Sequence, residues 1–192
     1  MNCDKLVLID RDGVINREIA GYVTCAAELE IMPAAFVALK LLHDSGFTCV
    51  VISNQSVVGR GIISKARLDE IHQYLCEQVA GQGGKISQVI VCTDVPDQAT
   101  NRRKPGAGML LEALQEYNAK AGATPFIGDA ITDMQAAFAA GCQKYMVMTG
   151  KGEKDLKLLT DELQPVVICS DILDAAIKII DSYHKRKLVI AI

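Results

Sequence analysis

Six short apolar runs recur along the chain, separated by stretches of helical periodicity. They are KLVLID from Lys5, FTCVVIS from Phe47, QVIVCT from Gln88, TPFIGD from Thr124, KYMVMT from Lys144 and PVVICS from Pro165. Each is rich in β-branched or other apolar residues, is bounded by Gly, Pro, Ser or Asp, and is too continuous to alternate between polar and apolar. Runs of that kind read as strands buried on both faces, the condition of a parallel sheet.

Between the runs, apolar residues fall three and four apart. Pro33 opens a segment carrying Phe36, Val37, Leu39 and Leu41 that stops at Gly46. Ser64 can cap a helix bearing Leu68, Ile71, Leu75 and Val79, ended by Gly81. Helices are also expected over Met109 to Ala121 and Thr132 to Ala140, each closed by the glycine that follows. A last one starts at Ser170 or Asp171, with Ile172, Ala176, Ile177 and Ile180 on one face. Strand and helix in steady alternation predict an α/β protein, a Rossmann-like, doubly wound parallel sheet in three layers, α/β/α. The C-terminal KLVIAI fits an edge strand, a tail or a dimer contact, and the pattern does not choose.

Composition narrows the class. The 192 residues, 50% hydrophobic and 22% charged, suit a single domain over 1–192 with a real core. A net charge of −3 argues against a nucleic-acid or membrane surface. No basic leader precedes the first strand, and no apolar run reaches the roughly 20 residues of a membrane helix. Seven scattered cysteines without a CxxC pair favour a reducing compartment over a disulfide framework, so a cytoplasmic protein is expected. Most cysteines, Cys49 among them, read as core, as do Met146 and Met148. His43, His72 and His184 fall on predicted helices, away from any motif, and read as surface or packing residues.

Chemistry concentrates at the strand ends. In an open parallel sheet the C-terminal ends of the strands line the ligand crevice. Polar residues close four runs there: Asp10 with Asp12, Ser53 with Asn54, Thr93 with Asp94, and Asp129 followed by Asp133. Lys104, in NRRKPG just ahead of a helix, can join them. Converging, Asp10, Asp12, Asp129 and Asp133 would crowd up to four negative charges together. At an effective dielectric near 20, two such charges about 4 Å apart repel by roughly 4 kcal/mol. A hard divalent cation relieves that repulsion, and an all-oxygen donor set favours magnesium over zinc. Lys104, Arg103 and Arg60 then point to an anionic guest. Mg²⁺, a lysine, a serine hydroxyl and loop amides make a phosphate site.

Only 40 residues separate Asp12 from Ser53, and 50 separate Ser53 from Lys104. Each gap already holds a helix and a strand, which leaves no room for a sizeable lid. A capless crevice is expected, with specificity set by loops near 17–30, 56–62 and 93–103.

The strings DRDGV, SNQS, RKP and GDAITD occur in the order of the haloacid dehalogenase superfamily and resemble its phosphatase branch. The match spans Asp10 to Asp133. The longer strings DRDGVIN, GYV, GRG, RKPGAGML and GDAITDMQAA are similar to those of the D-glycero-D-manno-heptose 1,7-bisphosphate phosphatases and the related histidinol-phosphate phosphatases. The resemblance implies an Mg²⁺-dependent phosphomonoester hydrolase on a capless core. Asp10 would be the nucleophile that forms an aspartyl-phosphate, and Asp12 the general acid and base. Ser53 and Lys104 would hold the transferring group. Asp10, the main-chain carbonyl of Asp12 and Asp129 would bind Mg²⁺, with Asp133 as ligand or support. Asn54, Arg60 and Arg103 would bind substrate. One acid of the Asp10 and Asp12 pair must be ionised and the other protonated, and their proximity is expected to split their pKa values.

The implied partner is a small phosphorylated metabolite, acted on by a monomer, with a dimer left open. Arg103 favours a sugar bisphosphate, because a second phosphate wants a second cation. Histidinol phosphate is the alternative. A polynucleotide 3′-phosphatase fits poorly with the net negative charge. A signalling receiver domain uses similar groups, but its phosphorylated aspartate ends a later strand. A catalytically dead binder is disfavoured by the intact motifs.

Members of both phosphatase groups carry a Cys-x-His and then a Cys-x-Cys pair that hold structural zinc. Here VCTDVPDQATNRRKP keeps only Cys92, with Asp94 in the histidine's place and TNR replacing the second pair. One thiolate and no histidine cannot build a tetrahedral site, so no structural zinc is expected.

Overall fold

The computed structural model describes residues 3–190. All six expected strands form: β1 (Leu6–Ile9), β2 (Thr48–Asn54), β3 (Gln88–Cys92), β4 (Pro125–Gly128), β5 (Gln143–Val147) and β6 (Val166–Cys169). They pair in parallel in the order β3-β2-β1-β4-β5-β6. The chain winds outward from β1 to β3, returns to place β4 beside β1, and then winds the other way. The strand order therefore reverses between β1 and β4, and a crevice opens there beyond the strand ends.

Helices α1 (Pro33–Asp44), α2 (Ser56–Gly59), α3 (Lys65–Gly81), α4 (Gly108–Glu116), α5 (Ile131–Ala140), α6 (Gly152–Asp155) and α7 (Ile172–Ile190) complete the fold. The period-2 alternation of strand side chains sorts the helices into layers. Val7 and Ile9 of β1 share a core cluster with Leu39 of α1, Ile71 of α3 and Ile179 of α7. Leu6 and Leu8 face the other way, into Met109 and Leu110 of α4 and Ala136 of α5. With both faces covered, every residue of β1 is buried, which explains its unbroken apolar run. Ser64 Oγ accepts from Arg67 N–H at 3.1 Å, the expected cap of α3.

Four local expectations change. The α4 helix stops at Glu116, short of Ala121, because Asn118 adopts a left-handed φ of 47° and turns the chain out of the helix. Edge position leaves Val167 and Ile168 of β6 exposed, so that run is not buried on both faces. Along α7 the buried stripe is Ile172, Ala175, Ala176 and Ile179, whereas Ile177 lies one position off it and is exposed. The first four residues of KLVIAI continue α7 and so are not an edge strand; Ala191 and Ile192 lie outside the described residues. Among the described residues, no helix is long and apolar enough to cross a membrane.

Candidate active site

Asp10 leaves β1 at the switch point, where its N–H donates to Ile127 O of β4 at 2.8 Å. Its Oδ1 accepts from Arg11 N–H at 2.7 Å and pairs with Lys104 Nζ at 2.8 Å. That ammonium also reaches Asp133 Oδ1 at 2.8 Å and donates to Ile52 O at 3.1 Å. Asp10, Asp129 and Asp133 are all buried, and each offers an oxygen within 4.8 Å of the others. Asp133 Oδ2 meanwhile accepts from the N–H groups of Asp129 and Ala130, both at 3.1 Å, tying the start of α5 to the cluster. Capping and site-building are thus one arrangement.

Two glycines admit Asp129 to this place. A Cβ on Gly13 would lie 2.1 Å from Asp129 Oδ2, and one on Gly150 would lie 2.0 Å away. Both glycines also have left-handed φ, 81° and 57°. Thr149 Oγ1 donates to Gly13 O at 2.6 Å and Lys151 N–H to Asp129 Oδ2 at 2.8 Å, so the turn after β5 is strapped across the acids.

Burial dominates the electrostatics. It raises the Asp10 carboxyl, with Lys104 opposing and Asp133 reinforcing the rise. Burial, Asp10 and Asp133 raise Asp129. Lys104 stays firmly protonated, because Asp10 and Asp133 outweigh its own burial. One lysine against three buried carboxyls leaves an unbalanced, oxygen-only pocket, a donor set that fits a hard divalent cation.

Asp12 is placed differently from Asp10. Its Oδ1 accepts from Arg11 Nη2 at 3.0 Å and Asn16 Nδ2 at 2.9 Å, and its Oδ2 from Gln55 Nε2 at 2.8 Å. Burial alone would raise this carboxyl, but the Arg11 charge and the three donors hold it below its ordinary value. Arg11 is only 1% exposed, and its Nη1 lies 3.0 Å from Nε2 of the buried His72. Burial, and then the Arg11 charge, push His72 down to about 4, so its neutral ring accepts from the guanidinium. The pKa values of the acid pair do split, but burial and Lys104 shape Asp10 more than Asp12 does. Mutual repulsion is the smaller cause. In this free site the directions also put the proton preferentially on Asp10.

The remaining expected residues mostly converge. Ser53 is buried, with Gln55 Nε2 donating to its Oγ at 2.8 Å. Arg103 lines the crevice, and its Nη1 donates to Asp94 O at 2.9 Å. Asn54 lines the crevice too, and its amide brackets the main chain of Lys104, with Nδ2 donating to Lys104 O and Oδ1 accepting from Lys104 N–H, both at 3.0 Å. These bonds position the lysine. Arg60 is exposed at the end of α2, and the crevice lining does not include it. Asp94 Oδ2 accepts from Thr100 N–H at 2.8 Å and Thr100 Oγ1 at 2.6 Å, closing the 93–103 loop on itself. Cys92 is buried at the end of β3.

Sequence reasoning passed over Arg11, Asn16, Gln55 and Lys151, and read His72 as a surface or packing residue with no tie to the site. Gln55 carried a signal, since it lies inside SNQS two residues after Ser53, and the period-2 alternation of a strand end puts both on one side. His72 carried none, because 61 residues separate it from its partner Arg11. The assembled groups line a crevice of about 440 Å³, the size of a small-molecule site.

An HAD-hydrolase-like family model matches residues 101–175. A D-glycero-β-D-manno-heptose-1,7-bisphosphate 7-phosphatase from Pseudomonas putida is 37% identical over 80% of this chain and 87% of its own length. The enzyme of that name from Pseudomonas aeruginosa is 38% identical over 79% and 85%. Among solved structures, the D,D-heptose 1,7-bisphosphate phosphatase of Bordetella bronchiseptica, complexed with magnesium and phosphate, superposes with a TM-score of 0.87 at 31% identity. The match covers 93% of this chain and 99% of that one.

Proposed function

The chain belongs to the D-glycero-D-manno-heptose-1,7-bisphosphate 7-phosphatase family of the haloacid dehalogenase superfamily, and we propose that it removes the C7 phosphate of that bisphosphate through an aspartyl-phosphate on Asp10. It is a phosphatase. The observation that carries the mechanism is the Lys104 ammonium seated between Asp10 and Asp133, beside buried Asp129 and Ser53. Asp10 Oδ1 is held by Arg11 N–H and Lys104, which leaves the other oxygen to attack phosphorus. The new bond joins that oxygen to phosphorus, and the bond to the sugar oxygen breaks with a proton from Asp12. Asp12, ionised in the free site, takes up its proton as the phosphate dianion enters and adds negative charge beside it. A water then attacks phosphorus while Asp12, now ionised, accepts its proton, and the bond between phosphorus and the Asp10 oxygen breaks, releasing phosphate and restoring the Asp10 carboxylate. Ser53 and Lys104 bind the phosphoryl oxygens throughout.

The oxygens of Asp10, Asp129 and the Asp12 carbonyl would hold Mg²⁺, with Asp133 supporting the cluster through Asp129 N–H and Lys104. When bound, the ion would neutralise charge on the transferring group. Proton competition gives a test. The carboxyls of Asp10 and Asp129, raised to about 7 and about 8, must both ionise to take the metal. Titration calorimetry should therefore show Mg²⁺ binding at least about tenfold tighter at pH 8 than at pH 6, with proton release. An affinity flat across that range would remove these two acids as the ligands.

The same reading has one domain without a cap, a small phosphorylated metabolite as partner, a monomer, and no structural zinc. The Asp94 to Thr100 bonds close the loop that a zinc site would otherwise order. Substrate choice is tested by kcat/KM for heptose 1,7-bisphosphate and histidinol phosphate, measured with Mg²⁺ after zinc has been stripped. A preference for the heptose of about tenfold or more, roughly 1.4 kcal/mol, is the expected result. Faster turnover of histidinol phosphate would overturn the assignment, and loss of activity on stripping zinc would overturn the zinc-free loop.

A further inference from the structure

The mouth of the crevice holds an ion pair that the proposed chemistry does not use. Lys151 Nζ lies 2.5 Å from Glu18 Oε1, and both residues line the crevice with Arg103 and Lys104. The acid cluster itself places Lys151, through the bond from its N–H to Asp129 Oδ2 at 2.8 Å. The preceding Gly150 packs too closely on Asp129 and Gly13 to carry any side chain. The root of the lysine is thus fixed at the reacting end. Its side chain is 53% exposed, so the ammonium, on a flexible four-carbon stem, is free to meet a ligand at the mouth. The other three cations of the crevice are already engaged: Lys104 with Asp10, Asp133 and Ile52 O, Arg103 with Asp94 O, and Arg11 with Asp12 and His72.

We propose that Lys151 is a specificity-determining residue that receives the second phosphate of a bisphosphate substrate, with Glu18 occupying the ammonium until substrate arrives. The proposal rests on the bisphosphate reading above and deepens it. An exposed ion pair contributes little to stability, so the exchange of partner is easily made. A phosphate brings nearly twice the charge of a carboxylate and three acceptor oxygens. Glu18, released, remains at the mouth as an acceptor for the hydroxyl groups of a sugar. One phosphate would then be held by Lys104 deep in the site and the other by Lys151 at its edge.

The test compares heptose 1,7-bisphosphate with heptose 7-phosphate, which keeps the reacting group and lacks the second phosphate. Wild-type protein and the variants Lys151→Met, Lys151→Arg and Glu18→Gln are each measured for kcat and KM. For Lys151→Met, the fall in kcat/KM on the bisphosphate should exceed the fall on the monophosphate by tenfold or more, and should lie mainly in KM. Lys151→Arg should recover most of the difference, and Glu18→Gln should lower KM for the bisphosphate by removing the competing carboxylate. Equal losses on both substrates would reduce Lys151 to a strap on Asp129 and overturn the proposal. If wild-type protein itself shows no preference for the bisphosphate, the substrate reading fails and takes the proposal with it. If wild type prefers the bisphosphate and Lys151→Met keeps that preference, only the proposal fails.

Discussion

Asp10→Asn should lose turnover by on the order of 10⁴-fold or more, the scale seen when an attacking group is removed from a unit that acts together. The amide has the shape of the carboxylate and can still accept from Arg11 N–H and Lys104, the two donors that fix Asp10 Oδ1. It cannot attack phosphorus. The folded state should survive, for two opposing reasons. The substitution weakens an ion pair with Lys104, but it also removes one of three acids crowded within 4.8 Å. The two effects offset, and the melting temperature should stay within about 4 °C of wild type, equivalent to roughly 1 kcal/mol in a chain of this size. Acid-quenched protein should trap a phosphoenzyme in wild type and none in the variant. A phosphoenzyme trapped in Asp10→Asn would identify another nucleophile and sink the mechanism.

The sheet was legible because its physics is local and repetitive. Buried parallel strands need continuous apolar runs, and each run found its strand. Departures arose where a neighbour, absent from the pattern, decided the outcome. Among the described residues no strand pairs with the outer edge of β6, and Val167 and Ile168 stay exposed, so an edge strand reads like a central one until the partner on its far side is known to be missing. Asn118 ends α4 through its own backbone conformation, a signal weaker than the glycine at 122 that the helix was expected to reach. The acids and the lysine of the site were readable from strand ends, since topology alone sends those positions into one crevice. What surrounds them was not. Whether Asp12 meets Asp10 or Arg11 depends on side-chain direction, and that is fixed by Asn16, Gln55 and a histidine 61 residues from Arg11. Arg60 shows the reverse case, a cation near a motif in sequence that the single turn of α2 carries to an exposed position.

Lys104→Met should be the variant most damaging to stability. The side chain is buried, 4% exposed, and its ammonium stands between Asp10 and Asp133. Methionine fills nearly the same volume, so packing changes little and the charge accounts for the effect. Breaking a buried pair from one side costs roughly 3–5 kcal/mol, which corresponds to a fall of about 6–20 °C in melting temperature. The pH dependence separates this account from a packing defect. Without the ammonium, which opposes their rise, the Asp10 and Asp129 carboxyls climb further above the value of about 3.9 that they have in the unfolded chain. Between that value and their folded pKa values, the folded state binds more protons than the unfolded one, so the variant loses stability as pH rises. The gap to wild type should be small near pH 5, where the acids are largely protonated, and should widen toward pH 8. Mg²⁺ should narrow it at pH 8, as a second source of positive charge among the same oxygens. Turnover should fall by a further 10² to 10³, the range for removing one preorganised electrostatic contact to a reacting group. A melting gap that stays constant from pH 5 to pH 8, and ignores Mg²⁺, would mean that Lys104 fills space at this position and does not balance the acids.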